Sequence, residues 1–243
     1  MTSLPRAAGA ERMDEPDQDA AELGRSLADL REVNRWLGGT RVVLHHLRRL
    51  VARHPRPAYR VLDVATGSAD IPLEVAAWAR AEGVRMKITA TDLHATTLHF
   101  ARRRAAGDPD VRVEPADALD LPYGGGAFDF VLCSTALHHF DARDDLLRVL
   151  REMDRVAAIG GIVNDLRRSR PALIGARLLA ATFWRNHPVT AHDGPLSVRR
   201  SFTAAELDEL GRAAGLPGAR VRRHEPFRVA LVWEKEEDGG HPA

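Results

Sequence analysis

The sequence has little cysteine and no long apolar run, and each shortage excludes a class of protein. One cysteine, Cys133, among 243 residues rules out an internal disulfide and is typical of a reducing compartment. No apolar stretch approaches the roughly 20 residues that are needed to span a bilayer. The first residues also lack the basic-then-apolar order of a signal peptide. These absences predict a cytoplasmic protein with no membrane insertion.

An excess of charge of one sign is also missing. Lys and Arg number 35 against 34 Asp and Glu, so the formal net charge is +1. No overall field therefore attracts nucleic acid, and we expect a small-molecule substrate instead. Apolar residues at 44% and charged residues at 28% are ordinary for a globular protein, and the length suits one α/β domain with a buried core. The oligomeric state is not predicted.

Before the main domain, two segments differ in pattern. Residues 1–20 have no apolar period and are predicted to form a flexible tail, in which Met1 and Met13 are both possible starts. From residue 21 to about residue 50, leucine and valine recur at steps of three and four, which predicts two helices broken at Gly38-Gly39. These helices form a cap over residues 21–56, and HPRP at 54–57 begins the main domain, 57–243.

Strand and helix patterns alternate through the main domain. Strands are predicted at 60–64, 87–91, 111–115, 128–134 and 161–165, with helices at 71–82, 96–106 and 144–156. Such alternation indicates a doubly wound parallel sheet with helices on both faces. After a helix at 204–214, strands at 219–225 and 227–234 are separated by one proline, which forces antiparallel pairing. The prediction is an α/β fold with a mostly parallel seven-stranded sheet, an antiparallel last strand and a helical lid insertion at about 166–203.

The turn after the first strand, VLDVATGSADIP, is the first candidate for a ligand site. Ligands of doubly wound sheets bind at the carboxyl ends of the strands, and Gly67 lets the backbone pass close to one. The carboxylate of Asp63 would repel a pyrophosphate but attract an ammonium or sulfonium group. A dinucleotide site also favours three glycines, whereas alanine stands at positions 65 and 69. The turn therefore favours a cofactor without phosphates.

Further polar residues follow the next strands. Asp92 is placed to accept hydrogen bonds from ribose hydroxyls, and Leu93 to pack on an adenine face. Asp117 is placed to accept from an adenine amino group, and Ser134 with Thr135 ends the fourth strand at the floor of the cleft. Taken singly, each aspartate can also be read as a helix cap or a turn residue.

Four segments in this order, DVATGSADIP, TDL, ADALDLPYGGGAFDFVLCSTALHHF and GGIVNDLRRS, resemble the class I S-adenosylmethionine-dependent methyltransferases. The resemblance covers roughly residues 60–235 and is closest to the small-molecule branch that includes quinone-biosynthesis methyltransferases. It implies a Rossmann-like methyltransferase fold and S-adenosylmethionine as the cofactor. Carried over by position, the implied cofactor residues are Asp63, Ala65, Thr66, Gly67, Asp92, Leu93, Asp117, Ala118 and Ser134.

Methyl transfer from a sulfonium needs in-line placement and exclusion of water, and a phenolic acceptor also gains from a base. The candidate bases are His192, which precedes Asp193 in the insertion, and His139, which follows the fourth strand. A loop-capping role for Asp193 and a wall-building role for LHHF stay open. The residues predicted to contact the acceptor are His138, Arg167 and Trp184. No metal is predicted.

The function predicted is methyl transfer from S-adenosylmethionine to a small, largely apolar acceptor, at a hydroxyl of an aromatic or polyketide-like metabolite. The leucine- and alanine-rich segment LIGARLLAATFW in the insertion favours an apolar acceptor. Methylation of carbon in a quinone-type ring and methylation of RNA or protein are the alternatives within the same chemistry. An NAD-dependent oxidoreductase or a non-catalytic cofactor-binding protein would be alternatives of another class on a similar fold.

Overall fold

A seven-stranded sheet lies at the centre of the structure, a computed structural model that describes residues 4–15 and 18–235. The strand order is β3-β2-β1-β4-β5-β7-β6; β1 to β5 are parallel, and β7 is antiparallel to both of its neighbours. The predicted fold class is therefore confirmed. The strands are β1 (Tyr59–Val64), β2 (Met86–Asp92), β3 (Val111–Pro115), β4 (Phe128–Ser134), β5 (Ala157–Leu166), β6 (Arg220–His224) and β7 (Arg228–Glu234).

The helices of the described residues follow the predicted order, and two 3-10 turns lie at Arg12–Asp14 and Leu137–His139. The predicted break between the first two helices is confirmed, because Gly38 has a φ of 83° that an L side chain rarely adopts. The helices are α1 (Ala20–Trp36), α2 (Gly39–Arg53), α3 (Asp70–Ala81), α4 (Ala95–Ala105), α5 (Arg143–Val156), α6 (Arg170–Ala181), α7 (Pro188–Arg200) and α8 (Ala204–Ala214).

Apolar side chains cover both faces of the sheet. Successive strand residues point to opposite faces, so Val61 packs in the cluster with α2 and α3, and Leu62 in the cluster with α5 and α8. On β5, Gly161 leaves room for the ring of Trp233, because a Cβ there would lie 2.4 Å from that ring. The strands of the sheet are thus packed against apolar side chains on both faces.

Residues 4–15, which we call the N-terminal strap, lie against the domain. The side chain of Glu11 is 1% exposed, and the backbone N–H groups of Arg12 and Met13 each donate to the Asp193 carboxylate at 3.0 Å. The expected flexible tail thus includes a stretch with specific contacts, because polar groups rather than an apolar period hold it in place. Residues 1–3 and 16–17 of that tail lie outside the described residues.

The predicted insertion folds as α6 and α7, which pack together, and α7 also contacts α1 and the strap. The segment TAHDGP, read from the sequence as part of a lid-like segment, lies inside α7, which continues through Pro195. In the part of the chain that is described, no helix has both the length and the apolar character needed to cross a bilayer.

Candidate functional site

A cleft of about 410 Å³ opens at the carboxyl ends of β1, β2 and β4, where a doubly wound sheet binds its ligand. The loop after β3 closes one side, and the strap and the turn after β4 close the other. Eight of the nine predicted cofactor residues line the cleft. They are Ala65, Thr66, Gly67, Asp92, Leu93, Asp117, Ala118 and Ser134.

The turn after β1 has a left-handed backbone at three positions, with φ values of 53° at Ala65, 59° at Gly67 and 58° at Ala69. An alanine in this region carries about 1–2 kcal/mol of steric strain. The turn is held in this shape by Thr66 N–H, which donates to the carbonyl of Thr91 at 2.8 Å. The alanines therefore adopt the backbone that glycine would adopt more easily, and the shape of the turn is kept.

Asp92 joins this turn to the floor of the cleft. Its two carboxylate oxygens accept hydrogen bonds from Gly67 N–H at 3.0 Å and His94 N–H at 3.1 Å, and each keeps a lone pair for a hydroxyl donor. Burial raises the pKa of Asp92, and the two N–H donors partly offset that rise. Asp117 accepts from Leu119 N–H at 2.8 Å with one oxygen, so it stabilises its turn and lines the cleft at once.

Asp63 is the predicted cofactor residue that does not line the cleft. It lies beneath the turn, 2% exposed, and its Oδ1 atom has no hydrogen-bond partner within the described residues. Burial raises its pKa to about 7, and the neighbouring carboxylates of Asp70 and Asp92 contribute further. Asp63 would therefore act on a ligand in the cleft through its field rather than by contact, and that field would favour a cationic ligand whenever the group is ionised.

A second cavity, of about 380 Å³, adjoins the cleft; we call it the apolar chamber. Leu30 and Thr135 line both cavities, and so does Met13 of the strap. Trp184, predicted to contact the acceptor, lies on the chamber wall, and Gly194 packs closely against its ring. Other wall residues from α1 and the insertion are Val33, Leu37, Leu179 and Phe183.

A buried arginine stands where the two cavities meet. Arg228 is 0% exposed and donates to Thr135 Oγ1 at 2.6 Å and to Asn34 Oδ1 at 3.0 Å. Asn34 in turn donates to Asp70 Oδ2 at 3.0 Å. Burial lowers the pKa of Arg228 to about 10, so the guanidinium stays charged at neutral pH. Sequence reasoning missed Arg228, although a lone charge at the head of the apolar run VALVW was a visible signal.

The two histidines that follow β4 lie in different places, one in the wall of the cleft and the other in the interior. His139 lines the cleft, and its Nδ1 atom lies 2.6 Å from Asp14 Oδ2. Burial alone would lower its pKa, but the charges of Glu11 and Asp14 outweigh burial and raise the pKa to about 9. A histidine protonated at neutral pH does not serve as a base. His138 is buried, bonds Asp165 at 2.7 Å and lines neither cavity.

His192 and Arg167 are not brought to either cavity. The His192 side chain is 43% exposed and bonds Asp193 Oδ1 at 2.7 Å, because α7 turns the histidine outward and the aspartate toward the strap. Arg167 pairs with Glu225 at 3.1 Å instead of facing an acceptor. Their positions do not support the roles predicted for them from the sequence.

Comparison with known proteins places this geometry among methyltransferases. Residues 62–164 match a family model described as a methyltransferase domain. The demethylmenaquinone methyltransferase of Deinococcus radiodurans is 36% identical over 129 residues, which cover 52% of this chain and 49% of that protein. The enzyme of the same name from Staphylococcus aureus is 28% identical over 130 residues, covering 54% and 52%. The chain thus spans about half the length of the curated relatives it matches.

Solved structures resemble a larger share of the chain. A SAM-dependent methyltransferase from Aquifex aeolicus superimposes with a TM-score of 0.59 at 16% identity, covering 90% of this chain and 99% of that one. One from Methanosarcina mazei superimposes with a TM-score of 0.54 at 17% identity, covering 76% and 96%. The chain therefore has the Rossmann-like fold of the class I S-adenosylmethionine-dependent methyltransferases, and its predicted resemblance to their quinone-biosynthesis branch is confirmed.

Proposed function

We propose that the protein transfers the methyl group of S-adenosylmethionine to a hydroxyl of a small, largely apolar aromatic or polyketide-like metabolite. The observation that carries this proposal is the pair of adjoining cavities. One is a polar cleft at the strand ends, the other is the apolar chamber, and Met13, Leu30 and Thr135 line both. A donor in the first and an acceptor in the second would meet beside these three residues, away from bulk water.

The cleft suits the cofactor in charge as well as in shape. Three buried carboxylates, those of Asp63, Asp70 and Asp92, lie beneath or beside the turn that would hold the methionine end. S-adenosylmethionine brings an ammonium and a sulfonium to this end, whereas a dinucleotide would bring a pyrophosphate. Opposite charges a few ångströms apart attract by about 3 kcal/mol at an effective dielectric constant of about 20. The field therefore favours the sulfonium cofactor.

The chamber suits an acceptor with one acidic oxygen on an apolar body. Among the described residues, Arg228 donates three of its five N–H groups, to Leu37, Thr135 and Asn34. Its two other N–H groups are left for the oxygen of an acceptor molecule. A buried guanidinium stabilises a phenolate over the neutral phenol. The acceptor hydroxyl would lose its proton to solvent as it enters the chamber, and Arg228 would hold the resulting anion. S-adenosylmethionine in the cleft would supply the methyl group to that anion and leave as S-adenosylhomocysteine.

Methylation at carbon is the second candidate. Both curated relatives described above are named demethylmenaquinone methyltransferase. A phenolate or hydroquinone anion carries negative charge on ring carbons as well as on oxygen. The same arginine and the same chamber therefore suit a quinone-type ring that receives its methyl group at carbon.

Calorimetry with S-adenosylmethionine, and separately with NADH, tests the cofactor. We expect saturable binding of the sulfonium compound alone, and sharply weaker binding in Asp92→Ala, which loses the carboxylate that holds Gly67 N–H. Binding of NADH in its place would refute the proposal. A variant on the far surface, Asp108→Asn, which loses an exposed pair with Arg80, is the matched control.

Trideuteromethyl-labelled cofactor tests the acceptor. Alkylphenols, resorcinols and a 2-prenyl-1,4-naphthohydroquinone are incubated with the protein and the products are followed by mass spectrometry. Nuclear magnetic resonance of the labelled product separates methylation at oxygen from methylation at carbon. We expect Trp184→Ala to raise KM for the acceptor and leave the dissociation constant of the cofactor unchanged, because Trp184 lines the chamber and not the cleft. An equal loss in both constants would contradict this division of roles.

A further inference from the structure

Glu11, His138 and His139 form a cluster beside the cleft that neither methyl transfer nor core packing accounts for. Their nearest ligand-type atoms all lie within 4.8 Å of one another. His138 Nε2 lies 3.5 Å from Glu11 Oε1, and His139 Nε2 lies 3.9 Å from Glu11 Oε2. A tetrahedral ion with bonds of about 2.1 Å holds its ligand atoms about 3.4 Å apart, so small side-chain shifts would close the set around one ion.

The second ring nitrogen of each histidine is already held by a carboxylate. His138 Nδ1 lies 2.7 Å from Asp165 Oδ1, and His139 Nδ1 lies 2.6 Å from Asp14 Oδ2. A carboxylate accepts only, so each Nδ1–H donates, and each Nε2 atom is directed toward Glu11. This carboxylate–histidine arrangement is the one that orients imidazole ligands around a bound metal.

An unpartnered buried oxygen is an independent sign that this cluster is a ligand site. Glu11 is 1% exposed, and its Oε1 atom has no hydrogen-bond partner among residues 4–15 and 18–235. Its other oxygen accepts from Ser197 Oγ at 2.8 Å, so the side chain is aimed and fixed. A buried carboxylate oxygen without a partner is unfavourable, and a coordinated cation would remove that deficit.

The charges around the cluster also favour a dication. Four carboxylates, those of Glu11, Asp14, Asp141 and Asp165, face two guanidiniums. Arg200 lies 3.9 Å from Glu11 Oε1 and 3.3 Å from Asp141 Oδ1, and the charge of Arg228 acts on Asp165. Arg200 is held away from the carboxylate by its bonds to two backbone carbonyls, at 3.1 and 2.7 Å. One divalent ion would balance the remaining negative charge and displace any proton from the histidine nitrogens.

We propose that Glu11, His138 and His139 bind one divalent transition ion of the zinc class. Two imidazoles and one carboxylate are a zinc-type donor set with a fourth position open, whereas Mg²⁺ prefers oxygen ligands alone. The ion ties the N-terminal strap to the turn after β4. Because His139 and Asp14 line the cleft, the open position lies beside the cavity rather than deep in the core.

Metal binding to the full-length chain, freed of metal by a chelator, tests this proposal without any activity measurement. Zn²⁺ is titrated in competition with a chromophoric chelator, and Co²⁺ is followed by its visible absorption, with Mg²⁺ as the comparison ion. We expect one Zn²⁺ per chain, a tetrahedral or five-coordinate Co²⁺ spectrum and no competition from Mg²⁺. Glu11→Gln is expected to weaken Zn²⁺ binding at least tenfold, and Asp14→Asn, which alters the orienting bond, by about 10–100-fold.

Two control variants address other histidines. His192→Ala removes an exposed histidine beside an aspartate, and His45→Gln removes one member of a histidine group formed with His46 and His224. Both are expected to bind Zn²⁺ as the parent does. Circular dichroism checks that Glu11→Gln is folded, and His139→Gln is a second variant of the site should it fail. Absence of one-to-one binding, or equal affinity in the parent and the folded site variants, overturns the proposal.

Discussion

Asp63 is expected to couple the protonation of the protein to cofactor binding, and this coupling is measurable. Burial, with smaller contributions from Asp70 and Asp92, raises its pKa to about 7, so about half of the free molecules carry the proton near neutral pH. The bound cofactor would place two cations above this carboxyl group. A cation favours the ionised form, so binding is expected to lower the pKa of Asp63 and release a proton.

The size of the effect follows from Coulomb's law. One unit cation about 5 Å away, at an effective dielectric constant of about 20, stabilises the carboxylate by about 3 kcal/mol, which is about 2 pKa units. The pKa of Asp63 would then fall from about 7 to about 5 in the complex. Binding at about pH 7 would release about half a proton, and the dissociation constant would be about tenfold larger at pH 6 than at pH 8.

Calorimetry in buffers of different ionisation enthalpy measures both quantities, the proton release and the dissociation constant. The substitution Asp63→Asn keeps the shape of the protonated side chain and removes its charge. We expect it to abolish this part of the pH dependence and to weaken binding at about pH 8 by up to about 100-fold, the equivalent of about 3 kcal/mol.

The same substitution is expected to stabilise the protein without ligand. The pKa of Asp63 is raised in the folded state, so its stabilising effect is complete below about pH 3.8 and is lost as the pH rises to about 7. The upper limit of this loss is about 4 kcal/mol at 1.36 kcal/mol per unit. Urea unfolding at about pH 8 should therefore show a more stable Asp63→Asn variant.

The control for both measurements is Asp108→Asn, which changes a partly buried carboxylate in the turn before β3, at the opposite end of the strands from the cleft. It should bind the cofactor with the affinity and pH dependence of the parent. The reasoning is refuted if the parent shows the same dissociation constant at pH 6 and pH 8. Equal affinity of the parent and Asp63→Asn at pH 8 would refute it too.

Three further predictions concern stability and are checked by urea unfolding. Burial and neighbouring histidine and arginine charges lower the pKa of His46 to about 4, so its contribution is lost as the pH falls from about 6.5 to about 4. The free energy of unfolding of His46→Gln should be about 1 kcal/mol below that of the parent at pH 7.5. Between pH 7.5 and pH 5, however, the variant should lose up to about 2 kcal/mol less of this free energy than the parent does. Parallel curves of unfolding free energy against pH would contradict this. Ala65→Gly should raise the free energy of unfolding by up to about 1 kcal/mol, because it removes the strain of a left-handed alanine. Ala69→Gly should be near neutral, because it removes the same strain but also loses a buried methyl group worth about 0.8 kcal/mol. Equal gains in the two variants would exclude this account. Gly161→Ala should lose at least about 2 kcal/mol, since its Cβ would meet the Trp233 ring at 2.4 Å, and a neutral result would show that the ring moves freely.

The sequence alone was enough to predict the sheet, most of the helices and a cleft at the carboxyl ends of the strands. Apolar alternation and helical periodicity are local signals, so β1 to β5 could be placed within a few residues, apart from the longer β5. Parallel strands bring their carboxyl ends to one edge, so residues that follow different strands, such as Gly67, Asp92 and Ser134, were expected to meet there. The structure brings them to one cleft.

Tertiary structure alone decided the apolar chamber, the strap and the cluster of Glu11, His138 and His139. Arg228 and Asn34 are 194 positions apart, and Glu11 meets two histidines of a distant turn. The spacing of apolar residues within one segment does not predict which distant polar groups become neighbours, since that depends on how the helices pack over the sheet. His192 shows most directly what the sequence could not predict. Successive side chains on a helix differ in direction by about 100°, so Asp193 binds the strap while its neighbour His192 faces away from it.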